Sequence, residues 1–292
     1  MEYALEIKNL CKHYNNFRLE DVNLKLPKGS IIGLIGENGA GKSTTMKAAL
    51  NLIHKDGGEV LFWGKELTED SKELKEDIGV VFDGINFYET LTPAQVGKIH
   101  KAAYSNWDEG AFREYCSRFS LPEDKEIKEF SKGMQVKLCL AAALSHKAKL
   151  LILDEPTSGL DPVVRDDILD VFLDYVQDEE HSILISSHIT TDLEKIADYI
   201  VFINKGKIIL DESKDELIYR YGIIRCGADG WKKVDQSDVL AYRKSGYQWN
   251  VLVKDRKAAQ NKYPGMIVDA ATLEEIMLLY VKGEGNEELE RR

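Results

Sequence analysis

An α/β fold, with a glycine-rich loop at the carboxyl edge of a parallel sheet, is what three stretches of this sequence predict. The first is the apolar run 30–35, then Gly36-Glu37-Asn38-Gly39-Ala40-Gly41-Lys42-Ser43-Thr44, then residues 45–50. These read as a strand, a loop and a helix in that order. The second is residues 150–153, wholly apolar and closed by Asp154 and Glu155. The third is residues 182–187, another buried-strand pattern, with His188 at its end.

The loop fits G-x-x-x-x-G-K-[ST] in the context that pattern needs. Gly36, Gly39 and Gly41 let successive N–H groups turn inward around an anion. The helix start adds partial positive charge. Lys42 can reach terminal phosphates, and the Ser43 hydroxyl can ligate Mg²⁺. A chance glycine-rich turn is the plain alternative; the flanking strand and helix count against it. The run 150–153 suits the centre of a parallel sheet, which puts the two carboxylates at its ligand-binding end. There Asp154 can hold Mg²⁺ through water, and Glu155 can polarise an attacking water. Two merely solvated acids are the alternative. His188 shares that edge and can donate to a γ-phosphate, although a lone histidine is more often structural.

At 292 residues the chain has room for about two domains. It is 43% hydrophobic and 30% charged, an ordinary globular mixture. Its net charge of −11 argues against a nucleic-acid partner, which calls for a basic face. Cys11, Cys116, Cys139 and Cys226 form no C-x-x-C pair, so they read as reduced thiols of a cytosolic protein. The start, Met1-Glu2-Tyr3-Ala4, lacks the basic and apolar segments of a secretory signal. No run reaches the ~18 apolar residues of a membrane span, so any membrane role is expected to pass through a partner.

The remaining elements follow in chain order. Residues 3–10 alternate as a strand, 11–16 read as turn-like, and 19–26 alternate again up to Pro27-Lys28-Gly29. Tyr14 can stack on a base, or simply be a half-exposed aromatic at a strand end. Residues 56–59 read as a turn before a strand at 60–63, and 78–82 as a buried strand ending at Asp83-Gly84. Pro93 opens a helix. A second starts at 106–109, with Asn106 as its cap and Trp107, Ala111, Phe112, Tyr115 and Phe119 as the core of a small helical subdomain. Ser131 is a good N-cap for a third. That helix start, beside Gly133, can bind an anion, though capping alone explains Ser131 equally well. Residues 158–162 form a turn before a helix to about 177. Residues 178–180 are a solvated acidic face, and 201–203 and 207–210 form a hairpin. Beyond about 221 the pattern changes to strands near 242, 247–253 and 266–268. Thr272 and Glu275 then have capping-box spacing, and Leu273, Ile276, Met277 and Tyr280 form an apolar stripe. Residues 284–292 are charged and expected to fray.

In this order the first ~215 residues resemble the ATPase domain of ATP-binding-cassette (ABC) transporters. Residues 36–44 match its Walker A loop, 130–135 its signature motif, and 150–155 its Walker B strand with the catalytic glutamate. Residues 158–161 resemble its D-loop. His188 falls at the switch histidine, and Tyr14 where the family stacks an aromatic on adenine. The resemblance implies a mixed sheet core, an antiparallel β subdomain and an α-helical subdomain at about 84–145, all within residues 1–220. A small α+β appendage at 221–292 completes the chain. It implies ATP with Mg²⁺ held by Ser43, Asp83 and Asp154. It also implies catalysis by Glu155, His188 and Lys42, and nucleotide contacts from Tyr14, residues 36–44, Ser131, Gly133 and Asp161. Two departures stand out. Asp83 replaces the usual glutamine, and Ser-Lys-Gly-Met-Gln replaces the commoner Ser-Gly-Gly-Gln. The lysine form is similar to ABC-2-type exporter ATPases, including groups tied to antibiotic resistance and cell-envelope stress. The implied partners are a separate multi-span permease and a second ATP-binding subunit, identical or different. The implied place is the cytoplasmic face of the membrane. Other readings are a soluble ABC ATPase acting on ribosomes or DNA, a low-turnover regulatory subunit, and a simple phosphate-loop kinase.

Overall fold

The computed structural model describes residues 2–84 and 87–285. The chain opens with β1 (Tyr3–Tyr14) and β2 (Phe17–Pro27). β3 (Ile31–Ile35) runs through the glycine-rich loop into α1 (Lys42–Ala49). β4 (Gly57–Phe62), β5 (Lys65–Glu66), α2 (Lys72–Glu76) and β6 (Ile78–Val81) follow. Three helices come next, α3 (Pro93–Ala103), α4 (Glu109–Arg118) and α5 (Lys132–Ser145). The chain then alternates through β7 (Leu150–Asp154), α6 (Pro162–Tyr175), β8 (Ser182–Ser187), α7 (Thr190–Ile196) and β9 (Tyr199–Asn204), closing with β10 (Lys207–Ser213). α8 (Lys214–Arg220) leads to β11 (Gly222–Cys226), α9 (Ala228–Trp231), β12 (Val239–Ser245) and β13 (Gln248–Val253). α10 (Arg256–Lys262), β14 (Ile267–Ala270) and α11 (Leu273–Lys282) finish the fold.

The central sheet has the order β10-β9-β3-β8-β7-β6. β9, β3, β8, β7 and β6 pair in parallel, and β10 joins antiparallel at one edge. Strand residues divide by parity between two cores, as a pleated strand covered on both faces requires. Ile31, Ile35, Leu151, Leu153, Ile183 and Ile185 face the layer that holds helix residues such as Leu138, Phe172 and Leu193. Ile32, Leu34, Leu150, Ile152 and Leu184 face the other way, toward Leu5, Ile7, Leu24 and Phe62 of the antiparallel sheet β2-β1-β4-β5. The expected mixed sheet and its antiparallel partner are both present.

Several local expectations change. Residues 11–14 are strand: Lys12 pairs with Leu19, His13 with Arg18 and Tyr14 with Phe17, so only Asn15 and Asn16 turn. A bulge near Asn9 breaks the alternation that would have carried the strand reading onward. Gly57, Gly58 and Glu59 belong to β4, where Cys11 meets Gly57 and Lys8 meets Glu59. The cap of α4 is Asp108, which accepts from Ala111 N at 3.0 Å, in place of Asn106. The Pro93 helix start holds, with a full capping box between Thr92 and Gln95.

The C-terminal sheet has the order β12-β13-β11-β14. β11, which the sequence pattern does not single out, is one of its two inner strands. Its run is short and buried on both faces, so no alternation marks it: Ile223 faces the helix-side core and Ile224 a separate small cluster. The capping box of Thr272 and Glu275 forms as expected. Glu284, expected to fray, instead exchanges backbone hydrogen bonds with Tyr242 at 2.7 and 3.0 Å. The rest of that charged tail, 286–292, lies outside the described residues.

The C-terminal elements do not have a core wholly their own. Leu273, Ile276 and Leu279 of α11 share one cluster with Leu193, Ile196 and Ala197 at α7. Leu273 N also donates to Glu194 Oε1 at 3.0 Å. Leu273→Ala is therefore expected to destabilise the fold by about 2–5 kcal/mol, the usual cost of such a truncation. Thermal unfolding of the full chain checks this. The main transition should fall, in contrast to a separate minor one.

Candidate active site

Three adjacent parallel strands carry the candidate residues. Ile35 at the end of β3 pairs with Ser187 of β8, and Ser186 of β8 pairs with Asp154 of β7. The chain leaves each strand at nearly the same level. Gly36, His188 and Glu155 therefore emerge together at the carboxyl edge, where open parallel sheets bind ligands.

The loop after β3 is shaped by close approach. A Cβ on Gly36 would lie 2.5 Å from the carbonyl oxygen of Ile203 on β9, so only glycine fits. Gly41 stands at the start of α1 with φ 119°, a left-handed angle that side chains resist. Gly41, the N-cap of α1, has no side chain with which to cap it. The first N–H groups of α1 are thus left for an acceptor outside the helix. Glu37, Asn38 and Gly39 are exposed at the rim, Ala40 is buried, and Ser43 and Thr44 lie half-buried on the first turn. Lys42 is only 5% exposed. Its ammonium donates to the carbonyls of Gly36 at 2.7 Å and Glu37 at 3.3 Å.

Glu155 joins this lysine to the histidine. Its Oε1 lies 3.0 Å from Lys42 Nζ, and its Oε2 lies 2.6 Å from His188 Nδ1. The contact with Lys42 is ionic without hydrogen-bond alignment, since buried Oε1 has no hydrogen-bond partner. Glu155 has φ 52°, a left-handed backbone costing about 1–3 kcal/mol in a non-glycine residue. Its N–H is held by Ser186, through Oγ at 3.0 Å and the backbone carbonyl at 3.2 Å. The bend aims the carboxylate across the strand ends. Asp154, 4% exposed, accepts from the same Ser186 hydroxyl at 2.6 Å. A buried carboxylate and a nearby helix-start hydroxyl are hard oxygen donors, a set that fits Mg²⁺ completed by phosphate oxygens and water.

Other expected residues sit elsewhere. Tyr14 ends β1, is 46% exposed, and has Lys12 Nζ 5.2 Å from its ring centre. Ser131 caps α5, accepting from Met134 N at 3.3 Å, and Gly133 packs against Val164 of α6. Asp161 caps α6 through Val163 N and Val164 N, both at 3.1 Å. Among the described residues no hydrogen bond or ion pair joins Ser131, Gly133 or Asp161 to Lys42, Glu155 or His188. Asp83 meets Lys132 at 3.7 Å, a partner its sequence position did not reveal. This pair joins the two positions that depart from the family pattern. Ser186 and the buried Thr157–Asp192 pair were also missed. They lack motif spacing, and their only signal is a serine at the end of an apolar strand. Burial pushes the Asp192 carboxyl above its usual range, against the opposing pull of the Thr157 hydroxyl and Arg165.

A phosphate loop, a buried acid and a base-like glutamate on adjacent strand ends define a nucleoside-triphosphatase of the phosphate-loop class. A family model described as "ABC transporter" matches residues 19–158. The chain is 35% identical over 219 residues to the ABC transporter ATP-binding protein YtrB of Bacillus subtilis (strain 168), covering 73% of this chain and 75% of that one. It is 36% identical over 214 residues to the lantibiotic transport ATP-binding protein SrtF of Streptococcus pyogenes, covering 72% and 91%. A solved ATP-binding subunit of an ABC transporter superposes with a TM-score of 0.65 at 28% identity, over 73% of this chain and 91% of that one. The chain belongs to the ABC transporter family of ATP-binding proteins, and it is an ATPase.

Gly36→Ala is expected to abolish ATP binding, because its Cβ collides with backbone in place of a flexible side chain. Equilibrium binding of a fluorescent ATP analogue measures this.

Proposed function

We propose that this ATPase is the ATP-binding subunit of an exporter, driving a separate multi-span permease through nucleotide-dependent pairing with a second ATP-binding subunit. The observation that carries the catalytic reading is the chain of contacts Lys42–Glu155–His188 at the ends of β3, β7 and β8. Transport is supported by relatives such as SrtF, whose name gives lantibiotic transport. Among the described residues no helix is long and apolar enough to cross a membrane; in this reading a separate permease supplies the path. The expected place is the cytoplasmic face of the membrane, with no nucleic-acid partner. Residues 1–220 form the nucleotide-binding unit in this reading, with a helical subdomain at about 84–145, and 221–292 form an accessory unit.

Each residue has a role that its position supports. The loop 36–44 and the start of α1 cradle the phosphates, and Tyr14 offers its exposed ring to the base. Lys42 neutralises the terminal phosphates. An arriving γ-phosphate competes with Glu155 for that ammonium and frees the carboxylate to accept a proton from the attacking water. His188 donates to the γ-phosphate. Ser43 and Asp154 would hold Mg²⁺, which supplies charge neutralisation at the phosphate oxygens. Asp83 is a further candidate ligand, in exchange with its contact to Lys132.

Among the described residues no hydrogen bond or ion pair links Ser131, Gly133 or Asp161 to this cluster. In the proposed dimer the start of α5 from the second subunit covers the γ-phosphate, with Ser131 donating. Driving such closure from mostly open to mostly closed takes about 5 kcal/mol of differential binding. Two triphosphates, each shared through charge-assisted hydrogen bonds, are of that order. Hydrolysis then removes the bridging phosphate. A permease docked near Phe87 to Gln95 would follow the helical subdomain. The Glu155–His188 contact weighs against a low-turnover regulatory subunit.

Glu155→Gln is expected to keep ATP binding while slowing hydrolysis by ~10²–10⁴, the range for losing a general base. A phosphate-release assay reads it, and turnover at the wild-type rate removes Glu155 from that role. With ATP the same variant should elute as a dimer on size exclusion. Adding Ser131→Arg should return it to monomer, and pairing that ignores nucleotide would rule out the shared site.

A further inference from the structure

A buried cross-link joins the two loops that carry Glu155 and His188. Thr157 follows Glu155 by two positions, and Asp192 follows His188 by four. Thr157 Oγ1 donates to Asp192 Oδ2 at 2.7 Å, and the two residues are 1% and 3% exposed. The other oxygen, Oδ1, lies 3.9 Å from the Arg165 guanidinium. Arg165 donates to the carbonyl of Leu160 at 3.3 Å, while its Nε–H is buried with no acceptor among the described residues. One carboxylate thus gathers the turn after Glu155, the turn ending at Asp161, and α7.

Holding α6 against α7 does not explain this burial. Lys195 of α7 already pairs with Asp166 and Asp170 of α6 at 2.7 and 2.8 Å, on the exposed side. A buried carboxylate is costly unless its oxygens are engaged. What the buried carboxylate adds is a grip on Thr157. Glu155 sits in a left-handed conformation that surrounding contacts must hold. Glu155 N–H donates to the Ser186 hydroxyl, and Thr157 is the next side chain along that is fixed to another element.

We propose that Asp192 is a positioning residue for ATP hydrolysis. Through Thr157 it keeps the Glu155 turn in register with the His188 loop, and through Arg165 it ties the 158–161 turn to the same point. This rests on the roles given above to Glu155 and His188. The phosphate loop is built on β3 and α1 and takes no part in the cross-link. The effect should therefore fall on turnover and leave nucleotide affinity intact.

The test uses the full chain, with steady-state phosphate release and equilibrium ATP binding measured side by side. Asp192→Ala and Thr157→Val should each lower kcat by about 10- to 100-fold, the scale for a small misplacement of reacting groups. ATP affinity should stay within about threefold. Thr157→Ser, which keeps the donor, should restore turnover. In a His188→Ala background Asp192→Ala should add nothing, because its effect passes through the Glu155–His188 geometry. The proposal is overturned by any of three results. These are wild-type turnover in Thr157→Val, equal impairment of Thr157→Ser and Thr157→Val, or a full further loss in the His188→Ala background. Should Asp192→Ala fail to fold, the near-isosteric Thr157→Val carries the decision. Glu155→Gln run in parallel separates the two levels. If it hydrolyses normally, the assignment of the base falls; if it is slow while Thr157→Val is not, only the role of Asp192 falls.

Discussion

Parallel pairing of β3, β8 and β7 is the constraint on which the rest depends. Because the pairs Ile35–Ser187 and Ser186–Asp154 lie in register, three chain segments far apart in sequence leave the sheet at one level. A parallel sheet needs both faces covered. Here one face is covered by helices and the other by the antiparallel sheet together with α1, and the strand residues sort between the two cores by parity. The burial that stabilises the sheet is thus also what lines up the phosphate loop, the carboxylates and the histidine.

At that edge the electrostatics are self-consistent within one chain. Glu155 is an anion placed between the ammonium of Lys42 and the ring of His188. Burying Lys42 would be costly without such a partner and without the Gly36 carbonyl. The left-handed backbone of Glu155 is the local cost of aiming its carboxylate this way, and Ser186 offsets it with two acceptors. The same serine donates to Asp154, so one hydroxyl sets both acidic positions.

The helices α5, α6 and α7 link this edge to the rest of the molecule. α6 and α7 follow β7 and β8 directly, and α7 packs in turn against α11 of the C-terminal unit. The two departures from the family pattern are neighbours in space: Asp83 follows β6, Lys132 begins α5, and they meet as an exposed ion pair. Such pairs are worth ~0–1 kcal/mol, so the contact adds little to the stability of the fold.

The sequence by itself determined the mixed α/β plan, the phosphate loop, the acidic strand end and the histidine. Each rests on local rules: a run of apolar residues long enough for one strand, a glycine pattern read over nine residues, a cap three positions before its partner. Where those rules were diluted they erred, as at the bulge near Asn9, at the choice between Asn106 and Asp108, and at the two-faced strand β11. Tertiary structure decided what no spacing records. Ser186 serves both acids, Glu155 bridges Lys42 to His188, Asp83 finds Lys132, and Thr157 finds Asp192. These partners lie between 31 and 113 positions apart and meet only because sheet register and helix packing bring them together, and that is a property of the whole fold.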